Sequence, residues 1–384
     1  MKKRTICVIA SSRATYGYKK NILKLLQNDK DIDLKVIVTG MHLSKKHGYS
    51  VKELLIDKIK IFKKIHTNIK SDSKTNHVKS LSTEIFELSG VLEKIKPDLL
   101  LVTGDRAEMF AAAFTAAYMG IPVAHIQAGD LSGHIDGSVR HAITKISHIH
   151  FASCKDSALR VKKLGEQSFR IFNTGAPQID DFYNKKTKDI KYFEKKYKIT
   201  FNKKIFLILY HPVLFEIVDA EKQIIQILDA VSEFNEYKKI IIYPNIDVGN
   251  SKIIKTFKKF NKKKDFQIFK NLNRDDFIFL LKKASILIGN SSCGILEASS
   301  FKLPVINIGN RQRGRLQSSN IINAKNSSKE IVLAINKALY DKSFLQKLKK
   351  CTNPYGNGKS SLKIVKILKK ININKKLLDK INTY

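Results

Sequence analysis

The sequence predicts an α/β protein built from two consecutive doubly wound halves that face each other across a cleft. Two observations carry this. Short apolar runs alternate with amphipathic helical stretches, the pattern of βαβ units around parallel sheets. The alternation also stops over Asp180–Asn202 (DDFYNKKTKDIKYFEKKYKITFN), a charged stretch with no apolar strand, and then restarts. At 384 residues the chain is long enough for two cores. The halves are expected at 1–180 and 181–384, with the last helix packing back on the first.

In the first half, strands are expected at Thr5–Ser11, Leu34–Gly40, His66–Ile69, Asp98–Gly104, Val123–Gln127, His148–Ser153 and Phe169–Gly175. Helical spacing of Ile22, Leu23 and Leu26 marks one intervening helix, and Ser80–Ile95 marks another. In the second half, strands are expected at Lys204–Tyr210, Lys239–Tyr243, Phe266–Phe269, Ile286–Gly289 and Pro304–Gly309. The tail Ser360–Tyr384 spaces Leu362, Val365, Leu368, Leu377 and Ile381 among lysines, as a closing helix would.

The formal charge of +37 comes mostly from lysines scattered through every segment, with only ten arginines, so it reads as a solvated coat rather than a nucleic-acid footprint. No apolar run reaches the eighteen or so residues of a membrane span. Cys7, Cys154, Cys293 and Cys351 show no CxxC spacing, which makes a reducing cytoplasm the expected compartment. Neither nucleic acid nor a membrane is an expected partner.

In such sheets ligands bind at the carboxyl ends of strands, where Arg13, His42, Asp105 and Gln127 fall. GNSSCG, from Gly289, turns a strand through Ser291 and Ser292 into a helix. Free backbone N–H groups and the positive helix end would then meet at one point, as a diphosphate requires. Glu297 could accept from ribose hydroxyls or be a solvated helix carboxylate. Asp105 either caps a helix or does chemistry, and the following loop AGDLSGHIDGSVRH adds Asp130, His134, Asp136, Arg140 and His141. These could suggest a metal hydrolase, but no recognised ligand spacing is present. His148 and His150 share one strand face as structural histidines. His211, at the end of the second half's first strand, points toward the phosphate side and could steady a departing diphosphate.

Together the motifs resemble a known family. RATY at Arg13, GxHL at Gly40, GDR at Gly104, IDxSxRHAITKxSHxH over Ile135–His150 and TGxPxxD at Thr174 lie in the first half. HPV at His211, PNID at Pro244, GNSSCG at Gly289 and PVINIGxRQxGR at Pro304 lie in the second. In this order they are similar to the hydrolysing UDP-N-acetylglucosamine 2-epimerases, whose two Rossmann-like domains form a GT-B-like fold. The resemblance implies loss of UDP, a 2-acetamidoglucal intermediate and addition of water, giving free N-acetylmannosamine. No metal or redox cofactor is implied, and a homo-oligomer is. Asp105 and Asp136 match the family's acidic catalytic residues and His211 its diphosphate-side histidine. Arg13, Arg106, Asn245, Gly289, Ser291, Ser292, Glu297 and Arg311 match nucleotide or diphosphate positions. His42, Asp130 and Arg140 are weaker candidates for the sugar side.

One position departs from the pattern. Gln127 stands where the family commonly has a glutamate, and glutamine cannot exchange protons. General acid–base help is worth roughly 10²–10⁴-fold in rate. The step therefore falls to Asp136, Asp130 or Asp105, or the sugar differs. UDP- or GDP-linked N,N'-diacetylbacillosamine is one alternative substrate. A non-hydrolysing epimerase, a glycosyltransferase and a sugar-nucleotide binding protein are alternative functions.

Overall fold

The computed structural model describes residues 3–45, 49–67, 74–131, 134–184, 189–244, 250–260, 265–270 and 272–383. The chain divides into two compact units, one of Met1–Tyr183 with Tyr355–Tyr384 and one of Asn184–Pro354.

In chain order the first unit runs β1 Arg4–Ala10, α1 Arg13–Gln27, β2 Ile32–Val38, α2 Val51–Ile56, β3 Ile61–Lys64, α3 Lys74–Ile95 and β4 Leu99–Thr103. It continues with α4 Ala107–Tyr118, β5 Val123–Ile126, α5 His134–Ile146, β6 Ile149–Ala152, α6 Lys155–Lys163, β7 Ile171–Asn173 and α7 Asp180–Asn184. Its sheet is parallel in the order β3-β2-β1-β4-β5-β6-β7. Burial on both faces explains why the central strands read as unbroken apolar runs. Along β1, Ile6, Val8 and Ala10 enter one core while Cys7 and Ile9 enter the other.

The second unit runs α8 Ile190–Tyr197, β8 Lys204–Leu209, α9 Ala220–Ser232, β9 Tyr237–Ile242, α10 Asn250–Phe260, β10 Phe266–Phe269, α11 Arg274–Lys283 and β11 Ala284–Gly289. After these come α12 Ser292–Leu296, β12 Val305–Ile308, β13 Ile321–Ala324, α13 Ser328–Tyr340 and α14 Lys342–Lys349. Its parallel sheet has the order β10-β9-β8-β11-β12-β13. Phe206 and Ile208 of β8 face one core, and Ile205, Leu207 and Leu209 the other.

The tail returns to the first unit as α15 Ser360–Lys370 and α16 Lys375–Leu378. Ile364, Val365, Leu368 and Leu377 bury in the core that holds α1's Ile22, Leu23 and Leu26. Burying a side chain of this kind is worth about 2 kcal/mol. Asp180 of the TGxPxxD motif accepts from the backbone N–H groups of Ser360 (3.0 Å) and Ser361 (2.6 Å), closing the open start of α15.

Two expectations need correction. The third strand is Ile61–Lys64, ahead of the expected His66–Ile69, whose last two residues lie outside the described ones; an edge strand with one half-buried side chain and three exposed ones carries no apolar signal. The charged joint, which has no strand among its described residues, holds helices α7 and α8, and Phe193 of α8 stacks on Phe279 at 3.9 Å. A further strand, β13, follows β12 where none was expected.

Gly289 shows how tightly the strand ends approach. Its φ is +137°, and a Cβ there would sit 1.9 Å from the carbonyl oxygen of Leu209. Gly289→Ala is expected to destabilise the protein by about 3 kcal/mol. Gly120→Ala, at φ +70° with no atom within 4 Å of the added carbon, should cost only about 1 kcal/mol. Urea denaturation of both variants checks this, and equal midpoints would contradict it.

Candidate functional site

In the first unit the candidates gather beyond β4 and β5. Arg140 of α5 is buried, and its Nη2 donates to Asp105 Oδ2 while Nη1 donates to the carbonyl of Gln127 at 3.1 Å. Gln127 is buried with φ +67°, a left-handed backbone that a non-glycine residue rarely adopts. Such strained positions cluster at functional sites. Its side chain lies over Gly104, with Oε1 3.4 Å from where a Cβ would be. Below it, His125 Nε2–H donates to the Gly104 carbonyl at 2.8 Å, fixing the turn that presents Asp105.

The stretch expected as a loop is helical from His134, so Asp136, Arg140 and His141 stand on one element. Asp136 is exposed in its first turn. Arg106 donates to Glu108 at 3.3 Å, and Glu108 first, then Asp105 and Asp136, strengthen its hold on the proton. Arg106 is thus paired directly with Glu108, and Asp105 with Arg140. Asp130 is buried, with Oδ2 accepting from Ser153 Oγ at 2.9 Å.

His42 is fully buried, its Nδ1 2.8 Å from Ser50 Oγ and its ring edge-on to Tyr16. Arg13 opens α1, but its side chain lies outside the described residues. Asn245 lies outside them altogether. The side chain of His134 is likewise outside them. His148 Nδ1 accepts from the Val123 N–H, and His150 Nε2 meets Glu166 at 2.9 Å. Among the described residues no group of three His, Cys, Asp or Glu is placed to hold a metal ion. No helix among them is long and apolar enough to cross a membrane.

In the second unit the strand ends of β8 and β11 are joined by Asn290. Its Oδ1 accepts from the His211 N–H at 2.7 Å and its Nδ2 donates to the His211 carbonyl at 2.8 Å. Its own carbonyl accepts from Arg311 Nη1 at 3.1 Å and from Gln312 Nε2 at 2.8 Å. This brings His211, Arg311, Ser291 and Ser292 to one place. The helix after Gly289 is shorter than expected. At five residues, α12 has little dipole, so the segment offers N–H groups, half-buried serine hydroxyls and the Arg311 charge instead. Glu297 is buried at its end and accepts from Arg274 Nη1 at 3.0 and 3.3 Å.

The sequence does not show the bridging role of Asn290, which lies inside the GNSSCG motif, nor mark Gln312, Arg274, Glu108 and Lys19 as site residues. The others carry no spacing that separates them from ordinary surface residues. Lys19 is wholly buried, its Nζ donating to the Ile9 carbonyl at 2.6 Å, and burial pushes it down to about 7.

The chain therefore has two parallel doubly wound sheets, one with carboxylates and arginines beyond its strand ends and the other with a serine- and arginine-lined turn. A UDP-N-acetylglucosamine 2-epimerase from Neisseria meningitidis, solved bound to UDP-GlcNAc, has the same fold. The TM-score is 0.82 at 23% identity, covering 95% of this chain and 99% of that one. The family described as UDP-N-acetylglucosamine 2-epimerase matches residues 24–369, and the chain belongs to it. The UDP-N,N'-diacetylbacillosamine 2-epimerase (hydrolyzing) of Legionella pneumophila is 36% identical over 99% of this chain and 100% of its own. A UDP-N-acetylglucosamine 2-epimerase of Neisseria meningitidis is 32% identical over 88% of this chain and 87% of its own.

Histidines whose proton affinity is lowered in the folded chain make the protein less stable in acid. Burial, chiefly, lowers His42 and His148 to about 4 and His125 and His211 to about 3, all from 6.5. Below pH 6.5 the unfolded chain binds protons that the folded one does not, so stability falls as pH drops from 6.5 toward 4. Glu84, raised to about 9 by burial and by Glu108, works the other way between 4.5 and 6.5, but burial lowers His141 and His150 too, so the histidines prevail. The melting temperature should therefore decline steadily on acidification from pH 6.5 to 4 in calorimetry. A rise over that interval would refute the assignment.

Proposed function

We propose that the chain is a hydrolysing 2-epimerase that converts a UDP-linked 2-acetamido sugar to the free 2-epimer and UDP. The observation that carries this is Arg140 joining Asp105, beyond β4, to Gln127, beyond β5, on the helix whose first turn holds Asp136, in a member of this family. A cytoplasmic location belongs to the same reading.

The chemistry dictates the order of events. The sugar's C2–H is hardly acidic, because no carbonyl stands next to it, so the C1–O bond must break ahead of proton loss. Departing UDP needs stabilisation of its diphosphate, supplied in this reading by Ser291, Ser292 and Arg311. Burial and then Arg311 lower the proton affinity of His211, which favours its neutral ring. A bound diphosphate reverses the local charge and favours a proton there. Asp105, ion-paired to Arg140, keeps a negative charge where positive charge develops on the sugar ring. Asp136, exposed on the first turn of α5, is the carboxylate open to exchange a proton at C2. Glu297, steadied by Arg274, serves the ribose. Water then adds to the glucal at C1, and C2 regains a proton on the opposite face.

The fuller and higher match to the Legionella relative supports a sugar with a second acetamido group at C4. The 32% match to the Neisseria enzyme supports UDP-N-acetylglucosamine as the second reading. Incubation of each nucleotide sugar in D₂O, followed by NMR, decides. The expected products are UDP and a free sugar of the manno configuration deuterated at C2. A product still carrying UDP means a non-hydrolysing isomerase, and no product from either sugar sinks the reading.

Asp105→Asn and Asp136→Asn should each lower kcat by about 10²-fold or more. Calorimetric affinity for UDP should stay close to wild type. Turnover near the wild-type rate in either variant removes that carboxylate from the mechanism.

A further inference from the structure

Helix α5 carries Asp136 and Arg140; of its final carbonyl groups, those of Ile143 and Thr144 accept from the Ser147 N–H at 2.9 and 3.1 Å, and that of Lys145 is met from outside the helix. Lys380, in the C-terminal tail, supplies that contact. Its Nζ donates to the carbonyl of Lys145 and, at 3.5 Å, to that of Thr144. The same ammonium lies 2.9 Å from Glu166 Oε2. Glu166 has a fully buried side chain and also meets His150 Nε2 at 2.9 Å and Lys145 Nζ at 3.0 Å. Burial alone would raise Glu166, but His150 and Lys380 outweigh it and hold the carboxylate down at about 2.

The tail that brings Lys380 here is pinned on both sides. Arg170, with no exposed surface, donates to the carbonyls of Leu377, Lys376 (2.9 Å) and Asp379 (3.0 Å). Beyond Lys380, Lys145 Nζ donates to Asn382, and the Thr383 N–H donates to the Gly165 carbonyl at 2.9 Å. Charge-assisted bonds of this kind are directional as well as strong. One helical turn back from the cap, Thr144 Oγ1 donates to the Arg140 carbonyl at 3.0 Å.

We propose that Lys380 is a positioning residue for the sugar-side site: by capping α5 it holds the helix whose Arg140 fixes Asp105 and the Gln127 carbonyl. The proposal rests on the epimerase reading for its effect on turnover, but not for its effect on the helix. Misplacement of a site by about 1 Å from a distant change can cost up to about 10²-fold in rate. A cap that also carries charge at a helix carboxyl end adds a favourable dipole interaction.

The test compares Lys380→Met with Lys380→Arg, measuring kcat, KM, UDP affinity and hydrogen exchange of the segment 134–147. Lys380→Met should lower kcat about ten-fold, leave UDP affinity near wild type, and speed exchange in the last turn of α5. Lys380→Arg, which keeps the charge and the donors, should recover most of both. Unchanged α5 exchange in the Met variant overturns the proposal, as does kcat near wild type despite faster exchange. Equal losses in the Arg and Met variants also overturn it, since they would mean that packing alone matters. If Lys380→Met does not fold, Lys380→Gln takes its place, with the same outcomes required. A wild-type enzyme inactive on both sugars sinks the epimerase reading, while the exchange measurement still decides whether Lys380 holds the helix.

Discussion

The buried guanidinium of Arg140 is the constraint on which the sugar-side half depends. Taking a charge out of water costs several kcal/mol unless it is paired and its donors are used. Arg140 meets this by donating to a carboxylate beyond β4 and to a carbonyl at the end of β5. Two strand ends and one helix are thereby locked to a single planar group. Gln127 is held in its left-handed conformation by the same contact, with its own N–H taken by the Phe151 carbonyl at 2.9 Å. A lysine in place of Arg140 could reach one partner but not both, because it lacks the planar fork.

The second unit solves the equivalent problem without a charge. Asn290 uses its side-chain donor and acceptor on both backbone groups of His211, and its carbonyl then gathers Arg311 and Gln312. Gly289 is what allows the two strands to come this close. The turn is therefore rigid before any ligand arrives, and preorganised donors of this type give the most stabilisation to developing negative charge.

Charge is distributed very unevenly. The lysine coat that makes up most of the +37 is solvated, and pairs such as Lys325–Glu330 on the surface contribute little. Several buried charges lie in connected sets: Arg140 with Asp105, Glu166 with His150 and Lys380, and Asp276 with Lys196, Tyr197 and Asn273. Each set ties separate helices or strands together.

The sequence by itself determined the doubly wound architecture, the interruption near residue 180 and the motifs at the strand ends. Those features are local. Apolar runs mark strands buried on both faces, and Gly, Asn and Ser mark the turns that follow them. The sequence also placed Asp105, Gln127, Ser291 and Arg311 at strand ends or turns, because position along a βαβ unit fixes that much. It did not reveal the exposed edge strand β3, whose residues carry no apolar pattern, or that the loop after Asp130 becomes helix α5. Which partner each charge takes depends on the folded arrangement. Arg140 and Asp105 are 35 residues apart, and Lys145 and Lys380 are 235 apart. Such pairings depend on how strands are ordered in the sheet and where the tail returns, and no spacing in the chain records either.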